Sequence, residues 1–127
     1  MKKACIIAAV VLLLCLAFSL VSAITVRSTC EQVMGLVEHS ILCARHNDPS
    51  GAAAALRAAE DAWSRREAFF GVVLRHEEMD QIFTGFSSLR EYLRLQDLDD
   101  YLASAAEINS SLAHLRDMEL PLLHNIL

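Results

Sequence analysis

Between Lys3 and Arg27 the chain reads "ACIIAAVVLLLCLAFSLVSAITV", with no charge and no polar face. A membrane-spanning helix needs about 20 such residues, so this stretch is long enough to cross a bilayer. Beyond Arg27 the pattern changes to apolar positions alternating at three and four residues, the mark of helices with one buried stripe. Val26, Cys30, Val33, Val37, Ile41 and Ala44 form the first stripe, on a helix from Ser28 to Arg45. No proline or glycine separates it from the apolar segment until Gly35, so the two can run on as one helix.

"NDPSG" then breaks the chain. Asp48 is placed to cap a new helix and Pro49 suits its first position. The pattern predicts a second helix from Pro49 to Leu74, alanine-rich at its start, with Leu56, Ala59, Trp63, Phe70 and Val73 inward. A third is predicted from Glu78 to Gln96 (Met79, Ile82, Phe86, Leu89, Leu93). A fourth runs from Asp99 to Arg116 (Leu98, Tyr101, Ala105, Ile108, Leu112, Leu115), with the acids of "DLDD" at its favourable end. The apolar tail "MELPLLHNIL" is too short to span a membrane and is expected to pack back on the helices. Phe70 and Met79 lie about half a turn out of register at ~100° per residue, so "RHEEMD" between them marks either a turn or a long helix passing between two packing partners.

The reading is therefore all-α: a transmembrane or signal helix over residues 1–26, then an extracytoplasmic domain over 27–127. That domain is expected to be a bundle of about four helices, as two hairpins with tetratricopeptide-like packing, though the tetratricopeptide repeat signature is absent. Lys2 and Lys3 keep the N-terminus cytoplasmic. "VSA" at Val21–Ala23 offers a cleavage site, which gives a secreted product as the alternative to a single-pass anchor.

Charge narrows the partners. The chain carries −5, and since Lys2 and Lys3 precede Arg27, the remainder carries −7. An acidic domain argues against nucleic acid, where binding rests on neutralised phosphates. Cys5 and Cys15 lie in the apolar segment; Cys30 and Cys43 point about 220° apart on one helix and cannot bridge within it. No phosphate-binding loop, dinucleotide glycine pattern or nucleophile elbow occurs, so no enzyme activity and no cofactor is expected.

Two clusters could carry chemistry. His76 and Asp80, at i and i+4 with Glu77 and Glu78 between, resemble a zinc-protease helix but lack its second histidine. The plain reading is a polar corner at a helix start. His39, Cys43 and His46 share one face of the first helix, and imidazole with thiolate suits zinc or copper. They need a further ligand from elsewhere. Trp63, the single tryptophan, is expected in the core or at a partner surface.

Trp63, then "HEEMDQI", then "SSLREYLRLQD" and a terminal "HNIL" resemble the layout of a family of small bacterial membrane-anchored helical proteins of unknown function. Its pattern is a tryptophan helix, a His-Glu-Glu-x-Asp corner and an Asn-Ile-Phe-like ending. Trp63, His76, Glu77, Glu78, Asp80, Tyr92, Asn125 and Ile126 fit; Met79 stands where isoleucine is usual, and Leu127 where phenylalanine is. His39, Cys43 and His46 fall outside the layout. The resemblance implies location and shape and no activity. Together these readings point to a non-enzymatic interaction module at the cell envelope, bound to a membrane or envelope protein through a helix groove or the apolar tail, with Trp63, His76, Glu77, Glu78 and Asp80 as partner-binding residues or a structural corner. A metal-binding protein is the alternative, and a homodimer through the first helix is a third reading.

Overall fold

The computed structural model describes residues 1–126, with side chains through 118. It is all-helical, with α1 (Lys2–Arg45), α2 (Pro49–Ser64), α3 (Glu67–Val73), α4 (His76–Arg94) and α5 (Leu98–Ile126). α1 is continuous from the apolar segment into the packed region, as the lack of an early breaker suggests. Among the described residues it is the one helix long and apolar enough to cross a membrane, with a mean hydropathy of 3.0 in its apolar stretch. Every residue from Met1 to Val21 is exposed, and burial begins at Ser22.

From Val26 to Ile41 the expected stripe turns inward, with Val26, Cys30, Val33 and Val37 fully buried. α2 and α5 pack along this face, and α4 lies against α5. α5 runs antiparallel to α1, since Ser40 meets Tyr101 while Glu38 meets Asn109 further along. Leu56, Ala59, Trp63, Phe70, Ile82, Phe86, Leu89, Ile108 and Leu112 complete one continuous core.

Three sequence expectations are corrected. The predicted helix Pro49–Leu74 is two helices, broken at Arg65 and Arg66. In one straight helix, residues seven apart sit about 10 Å apart along the axis. The break instead brings the rings of Trp63 and Phe70 to 4.6 Å, tilted at 44°. α4 begins at His76 rather than Glu78, because the Glu78 carboxylate reaches back to accept the Arg75 N–H at 3.3 Å. α5 continues past Arg116 to Ile126, with no breaker directly after Arg116 to stop it. The side chains of the apolar tail, Asn125 and Ile126 included, lie outside the described residues, as does Leu127.

The turn expected near "RHEEMD" is present: Leu74 is extended, with φ −105° and ψ 158°, between α3 and α4. The two turns at the opposite end share one design. Asn47 and Gln96 take left-handed backbone, with φ 59° and 56°. At each, paired N–H groups close onto the preceding helix: Asp48 onto the Cys43 carbonyl at 2.9 Å, and Asp97 onto the Tyr92 carbonyl at 3.0 Å. Each aspartate then caps the next helix. Asp48 Oδ1 accepts the Gly51 N–H at 3.0 Å, and Asp97 Oδ1 accepts the Asp100 N–H at 3.2 Å.

Candidate functional site

α4 buries Ile82, Phe86 and Leu89. Its other face carries His76, Asp80, Thr84 and Ser88, one residue per turn. Facing them across a groove stand Ser104, Glu107 and Ser111 of α5, with a cavity volume near 870 Å³. Gly85 forms part of the floor. A Cβ there would lie 3.0 Å from Ile108 Cδ1, so glycine lets α4 and α5 approach closely at this point.

The groove is polar and one-signed. Glu77, Asp80 and Glu107 line it with hydroxyls of both helices, and among the described residues no lysine or arginine does. His76 Nε2 lies 3.6 Å from Asp80 Oδ2, with the histidine side chain 92% exposed. Water surrounds this pair, so it holds the rim without locking it.

The candidate residues part company. His76, Glu77 and Asp80 gather at the groove. Glu78 caps α4 and faces a smaller hollow with Gln81, Ser110, Ser111 and His114. Trp63 lies in the core against Phe70, away from any surface. Tyr92 lines a separate cavity of about 310 Å³ at the two similar turns, beside Tyr101 and Leu98.

On α1, Cys43 Sγ lies 3.8 Å from His39 Nε2, while His46 Nδ1 turns back to the Leu42 carbonyl at 2.7 Å. The trio therefore offers a pair plus a ring engaged elsewhere. Among the described residues, no three His, Cys, Asp or Glu side chains are grouped to hold a metal.

Two buried polar contacts tie the helices behind the groove. The Ser40 hydroxyl donates to the Ala52 carbonyl at 2.7 Å and accepts from the Tyr101 phenol, joining α1, α2 and α5. Burial pushes the Tyr101 phenol above its ordinary pKa, with the Ser40 bond opposing. It therefore stays a neutral donor at physiological pH.

Between α2 and α4, Arg90 pairs with Glu60, whose side chain is 16% exposed. Burial still outweighs the guanidinium and holds the Glu60 carboxyl above the usual range. A raised carboxyl pKa adds stability at acid pH and loses it as pH rises through the folded value. Glu60→Gln is thus expected to match or exceed the native protein's melting temperature at pH 7. That advantage disappears below about pH 4 as the native carboxyl protonates. Thermal scans at both values check this, and a loss at pH 7 that vanishes in acid would give Arg90 the dominant role.

Sequence reasoning had seen the His76 end of the groove and missed the rest. Thr84 and Ser88 repeat the four-residue spacing of His76 and Asp80, which was the available signal. Ser104, Glu107 and Ser111 had none, because their partnership with α4 exists only once the helices pack.

Fold and groove define a class: an all-α protein with one membrane-length N-terminal helix and a solvent-open polar groove. The chain belongs to the DUF4363 family, described as a domain of unknown function, whose profile matches residues 20–126. That span starts close to where burial begins on α1. No curated protein and no solved structure matches the chain.

Proposed function

We propose that this chain is a single-pass, non-enzymatic interaction protein of the bacterial envelope. Its N-terminus is cytoplasmic and its helices form a four-helix bundle of two hairpins on the outer side of the membrane. The groove between α4 and α5 receives a cationic segment of another membrane or envelope protein. The observation that carries the reading is the groove itself, with three carboxylates and a row of hydroxyls on its walls, His76 at its rim, and no lysine or arginine among the described residues that line it. Such walls suit lysine or arginine donors presented along a helix or strand. The bacterial setting rests on the sequence resemblance.

An uncleaved anchor fits the burial pattern. Ser22 and Ala23 are 7% and 5% exposed, so cutting after Ala23 removes residues that the fold covers.

Full-length protein with a C-terminal tag, purified from gently solubilised membranes, tests the groove beside a Thr84→Arg, Glu107→Arg twin. Both substituted positions are exposed, so the core is untouched. One stoichiometric partner that is lost from the twin supports the reading. A partner retained equally by both moves the interface elsewhere, and metal in place of a partner on elemental analysis of the same sample overturns it.

A further inference from the structure

We propose that α3 and the arginines flanking it rest on the surface of the bilayer that α1 crosses, so that the domain touches lipid at two places. The inference depends on the anchor reading. It begins with chain direction. α1 leaves the apolar segment and travels outward to the turn at 46–48. α2 then returns antiparallel, because Ser40 bonds Ala52 near that turn and the two helices pack along their length. At the end of this return, the break at Arg65 and Arg66 delivers α3 to the end of the fold where the apolar segment departs.

α3 has two unlike faces. Phe70 is fully buried beneath it, held by Trp63, and Val73 and Leu74 are half-buried. The outer face is Ala68, Gly71 and Val72, with the exposed Glu67 at its edge one turn before Gly71. Val72 is 77% exposed, more than any other large apolar side chain beyond the anchor among the described residues. A Cβ on Gly71 would meet nothing within 4 Å, so the space beyond this face is open. A small apolar outward face centred on Val72, with one carboxylate at its edge and beside an apolar anchor, suits the headgroup boundary, where interfacial helices lie flat.

The surrounding charges fit the same place. Arg65, Arg66 and Arg75 flank α3 and are exposed, and Arg27 emerges where the apolar run of α1 ends. Guanidinium groups on long stems reach phosphate oxygens while their stems lie along apolar surface. Glu67 and Glu77 share this end and offset much of the positive charge. The contact is therefore with zwitterionic lipid through Val72 and its neighbours, and does not need an anionic membrane.

The test uses full-length protein with Cys5→Ala, Cys15→Leu and Cys43→Ser, reconstituted into phosphatidylcholine vesicles and recovered by flotation. Cys30 is fully buried and stays. A nitroxide is attached at Val72→Cys or, at the far turn, at Leu95→Cys. Collision rates with oxygen, which concentrates in lipid, and with a water-soluble nickel chelate are then compared. The expected oxygen-to-nickel ratio is about fivefold higher at position 72 than at 95, as for a side chain in the headgroup boundary. Floating vesicles with equal ratios at the two positions overturn the α3 contact and leave the anchor standing. Protein that does not float overturns both.

Discussion

Replacing Trp63 by alanine is expected to lower folding stability by about 3–5 kcal/mol, a large share of the ~5–15 kcal/mol of an ordinary domain. The side chain is 5% exposed and its ring lies 4.6 Å from that of Phe70. Truncation removes the indole and leaves Phe70 without its neighbour at the break between α2 and α3. Only side-chain rearrangement could refill the space, and the Phe70 contact was made by the break itself. For a domain near 100 residues, a loss of this size lowers the melting temperature by roughly 15–30 °C. Circular dichroism of the full-length protein in mild detergent measures it, with the apolar half of α1 contributing a baseline that does not melt. A drop under 5 °C means that Trp63 is not a core residue and returns it to the partner surface considered from sequence.

Deleting residues 2–21 is expected to release the protein completely from membranes and leave its melting temperature within about 2 °C of the full chain. Every deleted residue is exposed, so no buried core residue is lost. Membrane residence, by contrast, draws on each aliphatic side chain from Ile6 to Val21, at about 0.3–0.6 kcal/mol apiece near a bilayer centre. Flotation with vesicles reads the first result and a thermal scan the second. The mass of protein extracted from native membranes adds a further check. A mass that includes Met1 through Ala23 agrees with an uncleaved anchor, while a mass beginning at Ile24 makes the segment a signal peptide.

How much was legible follows from the physics of each feature. The stripes on α1, α4 and α5 could be read directly, because one buried face per helix imposes its own spacing. Val33, Val37, Ile82, Phe86, Ile108 and Leu112 all turned inward as expected. The α2–α3 break could not be read, since the ring contact of Trp63 with Phe70 that goes with it exists only in the folded chain, and in a list of apolar positions these two also fit one continuous stripe. The polar corner was visible as an unusual string of letters, yet its composition divided on folding. His76, Glu77 and Asp80 went to the groove, and Glu78 to a backbone N–H. A helix-start carboxylate and a groove carboxylate look alike until the start of the helix is fixed.

The unbroken course of α1 has a mechanical consequence. The residues that lipid would grip and those that line the core, Val26 to Ile41, lie on one rod of 44 residues, about 66 Å long at 1.5 Å per residue. No hinge separates the two halves, so the packed region cannot swivel freely on the apolar half. A 10° change in the tilt of the rod carries its far end sideways by about 11 Å. Under the anchor reading, bilayer thickness, or a neighbour pressing on the buried half, would thereby set where the twin turns stand relative to the membrane.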